Sequence, residues 1–94
     1  LVRTHADIDM KSRSVNLELH LRGMALDEAI DAVDKYLDDA MLSSLGEVSI
    51  IHGKGTGTLR SGVKEHLRKH PLVKSYRAGK YGEGEDGVTV VTLK

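Results

Sequence analysis

The chain has 94 residues, of which 14 are basic and 14 acidic, with five His, three Tyr and no Phe, Trp or Cys. A chain of this length forms one domain with a small core, built here from aliphatic side chains and Met. The lack of Cys excludes disulfides and thiolate zinc sites, and no apolar run is long enough to cross a membrane. We expect a soluble, cytoplasmic domain with no membrane partner. Because it begins at Leu1 and not at Met, we interpret it as a piece of a longer protein.

Hydrophobic periodicity in the first half predicts a strand, a helix and a second strand. Residues 1–14 are polar without a sustained period, so we interpret them as the remnant of a linker, and residues 15–94 as the domain. Strict alternation over residues 15–22 predicts a half-buried strand. The three-and-four spacing from Leu26 predicts an amphipathic helix that stops near Gly46. A nearly continuous apolar run over residues 47–52 predicts an interior strand.

The second half predicts one more helix and a hairpin. Leu59, Val63 and Leu67 recur at four-residue steps, which predicts a helix over residues 59–69. Residues 73–78 and 88–93 are β-rich and flank a turn-prone segment. Right-handed crossovers place successive helices on the same side of a growing sheet. We therefore predict an α/β two-layer sandwich in the order β-α-β-α-β-β, with two helices on one face of a four-stranded mixed sheet.

The formal net charge is zero, but the two signs are separated along the chain. Residues 25–51 hold seven acidic side chains against Lys35, and residues 52–80 hold eight basic side chains against Glu65. The basic residues are Lys54, Arg60, Lys64, Arg68, Lys69, Lys74, Arg77 and Lys80. Basic charge gathered on one surface is typical of a polyanion binder, although a solvated helix face accounts for the same count.

A glycine-rich segment between the second strand and the second helix predicts a phosphate site. It consists of His52, Gly53, Lys54, Gly55, Thr56 and Gly57, with Arg60 following. Alternate glycines let the backbone approach a ligand and turn its amides inward, and the next helix adds its positive N-terminal end. The order matches neither a Walker A loop nor a dinucleotide fingerprint, and a bare glycine turn is the simpler alternative. The charged neighbours His52, Lys54 and Arg60 favour phosphate binding.

Polar residues outside the glycine-rich segment are interpreted as parts of the protein surface. Arg77 alternates with Ser75 in the third strand and is expected to extend the basic surface over the open sheet face, where His20 and Arg22 also lie. Surface positions are expected for His5, His66 and His70, without a ligand-spaced partner. The acidic residues 83–86 fit a solvated turn. We therefore predict no metal site in these residues.

Three segments in the right order resemble the small MutS-related (Smr) domain family. They are the segment from Ile50 to Arg60, the sequence Leu19-His20-Leu21-Arg22-Gly23-Met24, which resembles an L-D-L-R-G motif, and Gly87-Val88-Thr89-Val90-Val91, which resembles a closing G-x-T-V-V strand. The likeness spans about residues 17–93. The Arg22 form is similar to the carboxyl-terminal domain of the second bacterial MutS paralogue.

The resemblance implies a fold like the C-terminal domain of a translation initiation factor. It also implies a sequence-nonspecific endonuclease that nicks branched or duplex DNA, attached to a MutS-type ATPase that acts in suppression of recombination. ATP then binds only in the missing parent chain, which we expect to be a homodimer, and no cofactor is evident in the domain itself. Mg²⁺ or Mn²⁺ stays open as a cofactor of cleavage. Some relatives are tied to RNA cleavage or to stalled and collided ribosomes, which leaves RNA open as the substrate.

One departure from the family pattern affects the chemistry, because His20 stands where L-D-L-R-G has Asp. A His moves protons near neutral pH but does not replace an anionic ligand for Mg²⁺. Our hypothesis is that Arg22, Lys54 and Arg60 stabilise phosphoryl charge, while His52, with His20, handles protons. The simpler interpretation of His20 is a solvated strand residue. The alternative function is a noncatalytic module that binds structured nucleic acid or ribosomal RNA, which the missing carboxylate favours.

Overall fold

The structure is a computed structural model that describes residues 15–94, so the predicted linker over residues 1–14 lies outside the described residues. The elements are β1 (Glu18–His20), α1 (Leu26–Leu42), β2 (Glu47–Ile51), α2 (Thr58–Lys69), β3 (Val73–Ala78), a 3-10 turn (Glu85–Gly87) and β4 (Val88–Leu93). Within this part of the chain, neither helix is long and apolar enough to span a membrane. The predicted element order is confirmed.

The four strands form one mixed sheet in the order β1-β2-β4-β3. Strand β1 pairs with β2 in parallel, and β4 pairs antiparallel with β2 on one side and β3 on the other. The two helices contact each other and share one aliphatic core with alternate residues of the strands. The predicted two-layer sandwich, with both helices on one face of the sheet, is confirmed.

The first strand is shorter than the sequence predicts. It covers Glu18–His20 and not residues 15–22, and Leu17, which the alternation placed in the core, is 60% exposed. Strand β1 lies at the edge of the sheet, and its last residue, His20, pairs with Ile51, the last residue of β2. Single hydrogen bonds continue the pairing at both ends, from Ser49 N–H to the Leu17 carbonyl and from Leu21 N–H to the Ile51 carbonyl, each 2.8 Å long.

Helix α1 also ends earlier than predicted. It stops at Leu42, and Ser44 adopts the left-handed conformation, with φ of 60°, in which a helix often leaves its axis. The Leu45 amide donates to the Ala40 carbonyl at 3.0 Å, which closes this cap. Gly46, the predicted stop, lies in the short connection to β2.

The helical periodicity identified most of the core, but not Tyr36. This residue is 9% exposed on the inner face of α1, and its hydroxyl donates to the Asn16 carbonyl. Burial, followed by the nearby Glu18 carboxylate, raises the pKa of Tyr36 to about 12. The contact holds the segment before β1 against α1.

Two leucines of α1 test the assignment of its buried face. Replacing the fully buried Leu37 by Ala is expected to lower the free energy of unfolding by about 3 kcal/mol, because a cavity remains in a small core. Leu42→Ala on the same helix removes a side chain that is 83% exposed, so it should change stability by less than about 0.5 kcal/mol. Urea titrations measure both values, and equal losses would contradict this packing.

Candidate nucleic-acid interface

The carboxyl ends of β1 and β2 meet at one edge of the sheet. His20 lies opposite Ile51 in the parallel register, so the residues after each strand leave the sheet side by side. Strand β4 begins at the same edge, where the Gly87 carbonyl accepts hydrogen bonds from the His52 amide at 3.1 Å and the Gly53 amide at 2.9 Å. The start of the glycine loop (residues 52–57) is thereby attached to the sheet.

An open cleft of about 450 Å³ lies at this edge, between the glycine loop and the segment that leads into α1. It contains every predicted site residue except His20 and Arg77. The predicted residues that line it are Arg22, His52, Gly53, Lys54, Gly55, Thr56, Gly57 and Arg60. Its remaining wall is largely apolar and includes Met24, Leu26 and Leu59. The cleft therefore has a polar floor beside an apolar wall.

Two glycines of the loop are required by its shape. Gly53 has a φ of +78°, and a Cβ there would lie 3.0 Å from Cγ of Arg22, so only glycine lets the Arg22 stem pass this close. Gly57 caps α2 with a φ of +89°, and the Arg60 guanidinium lies 3.7 Å from where its Cβ would be. Both glycines bring an arginine side chain against the loop backbone.

The loop leaves several backbone amides free. The Gly57 amide donates to the Lys54 carbonyl at 3.1 Å, which closes the turn, and no side chain of residues 15–94 caps the N-terminus of α2. Among the described residues, no acceptor pairs with the amides of Lys54, Gly55, Thr56, Leu59 and Arg60. Unpaired amides in a loop and at a helix N-terminus attract an anion.

Three cations lie at the cleft without carboxylate partners. Arg22, Lys54 and Arg60 line it, and within residues 15–94 none of them forms an ion pair. Of residues 15–94, no Asp or Glu lines the cleft. Their positive charge is therefore available to a ligand, unlike that of surface cations that are already neutralised by a neighbour.

The His52 ring is buried, and both of its nitrogens are engaged. Nδ1 donates to the Gly53 carbonyl at 2.9 Å, so Nε2 of the neutral ring accepts from the Thr89 hydroxyl at 2.8 Å. Burial lowers the pKa of His52, the Gly53 hydrogen bond opposes this shift, and the charges of Lys64 and Arg60 lower the pKa further. The neutral ring therefore holds the loop against β4, and its role in proton transfer stays a prediction.

The cleft lining does not suit Mg²⁺ or Mn²⁺ held by the protein alone. These ions are bound by carboxylates and other oxygen ligands, whereas the described part of the chain brings to the cleft main-chain carbonyls and the Thr56 and Thr58 hydroxyls beside its cations. The chemistry that these residues support is electrostatic stabilisation of a phosphate by amides and cationic side chains.

His20 and Arg77 lie outside the cleft. His20 projects from β1 onto the open sheet face, where its Nε2 is 3.7 Å from the Glu18 carboxylate. Arg77, on β3, pairs with Glu83 at 2.8 Å. Hydrogen bonds from Arg77 and from the Lys80 amide lower the pKa of Glu83 to about 2. Part of the Arg77 charge is therefore neutralised, and its role in nucleic-acid binding stays a prediction.

Sequence reasoning did not assign roles to two residues near His52. Thr89 is fully buried and completes the His52 hydrogen bonds, but a single Thr in a β-branched strand gives no signal of that contact. Lys64 lies one helical turn after Arg60, and its charge acts on His52. The four-residue spacing of Arg60 and Lys64 could have indicated from the sequence that both cations lie on the same face of the helix.

Several curated relatives match nearly the whole chain. It is 58% identical over 84 residues to a protein named Endonuclease MutS2 of Ruminiclostridium cellulolyticum, covering 89% of this chain and 11% of that protein. It is 62% identical, with the same coverage, to the Endonuclease MutS2 of Acetivibrio thermocellus. The chain thus spans about a tenth of the length of these relatives.

Family and structure comparisons agree with this match. The Smr domain model matches residues 19–94. The fold is similar to the crystal structure of the Smr domain of Thermus thermophilus MutS2, with a TM-score of 0.81, 43% identity, and coverage of 82% of this chain and 96% of that one. For YdaL, a stand-alone small MutS-related protein from Escherichia coli, the TM-score is 0.78 at 27% identity, with coverage of 83% and 64%. The resemblance predicted from three motifs is therefore confirmed, and the chain belongs to the Smr domain family.

Proposed function

We propose that this chain binds the phosphate backbone of DNA in the cleft and nicks one strand without base preference. The observation that carries the proposal is the group of five amides, unpaired within residues 15–94, beside Arg22, Lys54 and Arg60 in a cleft to which those residues contribute no carboxylate. Such a surface recognises phosphate oxygens, and phosphate contacts carry no sequence information. The related proteins named Endonuclease MutS2 support this class of reaction.

The larger setting is a MutS-type ATPase that suppresses recombination, with this domain as its nuclease part. The parent chain, a homodimer, supplies ATP binding, and branched or duplex DNA is the substrate. The identity of 58% to an Endonuclease MutS2, of which the match covers 11%, supports this arrangement. The domain then supplies the contact with a single phosphodiester.

Hydrolysis requires that water attack phosphorus, that charge on the phosphoryl oxygens be stabilised, and that the leaving oxygen receive a proton. The Arg22 and Arg60 guanidinium groups and the Lys54 ammonium group supply the stabilising charge, while the loop amides orient the phosphate. His52 keeps the loop in place. His20, which is exposed outside the cleft two residues before Arg22 and has the Glu18 carboxylate beside it, is our candidate for the proton step.

The alternative function is a noncatalytic module that binds structured nucleic acid or ribosomal RNA. A specific observation favours it: among the described residues no carboxylate lines the cleft, and the His52 imidazole there is buried with both nitrogens engaged. On this view, the phosphate site provides affinity alone and the parent protein supplies any chemistry.

Substitutions in the cleft should separate its contribution from general basic charge. Lys54→Ala and Arg22→Ala are each expected to slow nicking of a supercoiled plasmid by about 10²–10³-fold, because each removes a charge that stabilises the reacting phosphate. Lys74→Ala is the matched control, since Lys74 is exposed on β3 and, within the described residues, forms no ion pair. Equal rates for all three variants would contradict the site.

The same preparations distinguish the two functions. Retention of plasmid and of structured RNA is measured next to cleavage, with and without chelator. Cut plasmid that depends on Lys54 supports the nuclease. Binding of either nucleic acid that is lost in Lys54→Ala, without any cut product in the wild type, supports the noncatalytic module.

The assigned role of His52 predicts a particular pH dependence. Because the folded state lowers the pKa of His52, the unfolded chain binds a proton more readily below about pH 6.5. The free energy of unfolding is therefore expected to be steady just above that pH and to fall as the pH decreases below it. Urea titrations between about pH 5 and 8 measure this slope, which His52→Gln should reduce.

Cleavage kinetics show whether His52 also transfers protons. If it only positions the loop, His52→Gln lowers the rate without changing the shape of the pH–rate profile. Loss of one limb of the profile in His52→Gln, but not in His20→Gln, would instead assign the proton step to His52.

A further inference from the structure

Two histidines of α2 and one aspartate of α1 converge away from the cleft. His66 and His70 lie one turn apart on α2, and their Nε2 atoms are 2.6 Å and 3.1 Å from the same Oδ1 atom of Asp34. The two rings are 5.7 Å apart and nearly perpendicular. These three residues do not line the cleft and have no part in the proposed phosphate binding.

We propose that Asp34, His66 and His70 form a transition-metal site that joins the two helices. One ligand atom from each residue lies within 4.8 Å of the other two. An ion with nitrogen ligands at about 2.0–2.1 Å in tetrahedral geometry needs ligand atoms roughly 3.3 Å apart. The observed separations are close enough that side-chain adjustments bring the three ligands around one ion.

The ligand set selects the class of ion. Two imidazoles and one carboxylate suit Zn²⁺, Ni²⁺ and Cu²⁺, whereas Mg²⁺ and Ca²⁺ prefer oxygen ligands. The site faces an open groove of about 480 Å³, lined also by Asp38 and Lys69. Three protein ligands in an open groove leave a coordination position to water.

Metal binding at His70 is expected to change a hydrogen bond of this residue, and that change can be measured. Nδ1 of His70 accepts a hydrogen bond from the Leu72 amide at 3.1 Å, so neutral His70 carries its proton on Nε2 and donates it to Asp34. A metal on Nε2 displaces that proton, and the neutral ring must then carry a proton on Nδ1. The Leu72 amide loses its acceptor, which is a small cost beside three coordinate bonds.

The proposed metal site is separate from the phosphate cleft. Asp34 and His66 each lie eight residues after the first residue of their helix, and both helices begin at the cleft. At 1.5 Å per residue, this distance is about 12 Å along each helix axis. The ion therefore crosslinks α1 and α2 and does not contact the phosphate.

Metal titrations of the 94-residue chain test the proposal. After treatment with chelator, the chain is titrated calorimetrically with ZnCl₂, NiCl₂, CuCl₂ and MgCl₂ near neutral pH. We expect one Zn²⁺, Ni²⁺ or Cu²⁺ per chain, Cu²⁺ binding most tightly, and no saturable binding of Mg²⁺. Faster hydrogen exchange of the Leu72 amide and shifted ¹⁵N signals of both rings should accompany binding.

Variants distinguish this site from adventitious binding. His66→Ala and Asp34→Asn should each weaken Zn²⁺ binding by roughly tenfold or more, and Asp38→Asn, a neighbour in the groove, by less than about twofold. Because the His70 side chain is only 9% exposed, it is not used as the main variant. Zn²⁺ should also raise Tm of the wild type but not of His66→Ala. Absent binding, or equal binding by wild type, His66→Ala and Asp34→Asn, would overturn the proposal.

Discussion

The parallel pairing of β1 with β2 is the constraint on which the phosphate cleft depends. It brings the ends of two strands to one edge, so that Arg22 and the glycine loop, thirty residues apart, become neighbours. The antiparallel start of β4 then attaches the loop through the Gly87 carbonyl. The sheet edge thus holds the start of the loop, while the amides of Lys54, Gly55 and Thr56 have no acceptor among the described residues.

The chemistry of the cleft depends on backbone amides and cationic side chains that have no hydrogen-bond or ion-pair partner among the described residues. Some surface charges of this domain have a neighbour of opposite sign, as the Arg77 pair with Glu83 illustrates. At the cleft, the cations and amides have no such partners among the described residues, while His52 is buried in the neutral form. The site is thus preorganised for a negative ligand, and the histidine that a motif search singles out acts first as a structural support.

The helix layer contributes in two different ways along its length. At their N-terminal ends, α1 and α2 border the cleft, and α2 directs free amides towards it. About two turns further on, the same helices bring an aspartate opposite two histidines. One helix pair therefore borders the proposed phosphate site at one end and carries the proposed metal ligands about two turns further on, so substitutions can test the two sites separately.

The sequence by itself determined the element order, the sheet class and the loop, since each rests on local periodicity or on glycines at fixed spacing. Strand Val73–Ala78 and strand Val88–Leu93 begin and end where their patterns predicted. The C-terminal end of β1 coincides with the end of β2 beside it, and the second hydrogen bond of His52 comes from Thr89 on another strand. Likewise, the spacing of His66 and His70 was visible in the chain, but their ligand-spaced partner Asp34 was not. Contacts between residues more than thirty positions apart are set by how strands and helices pack, and local patterns do not encode them.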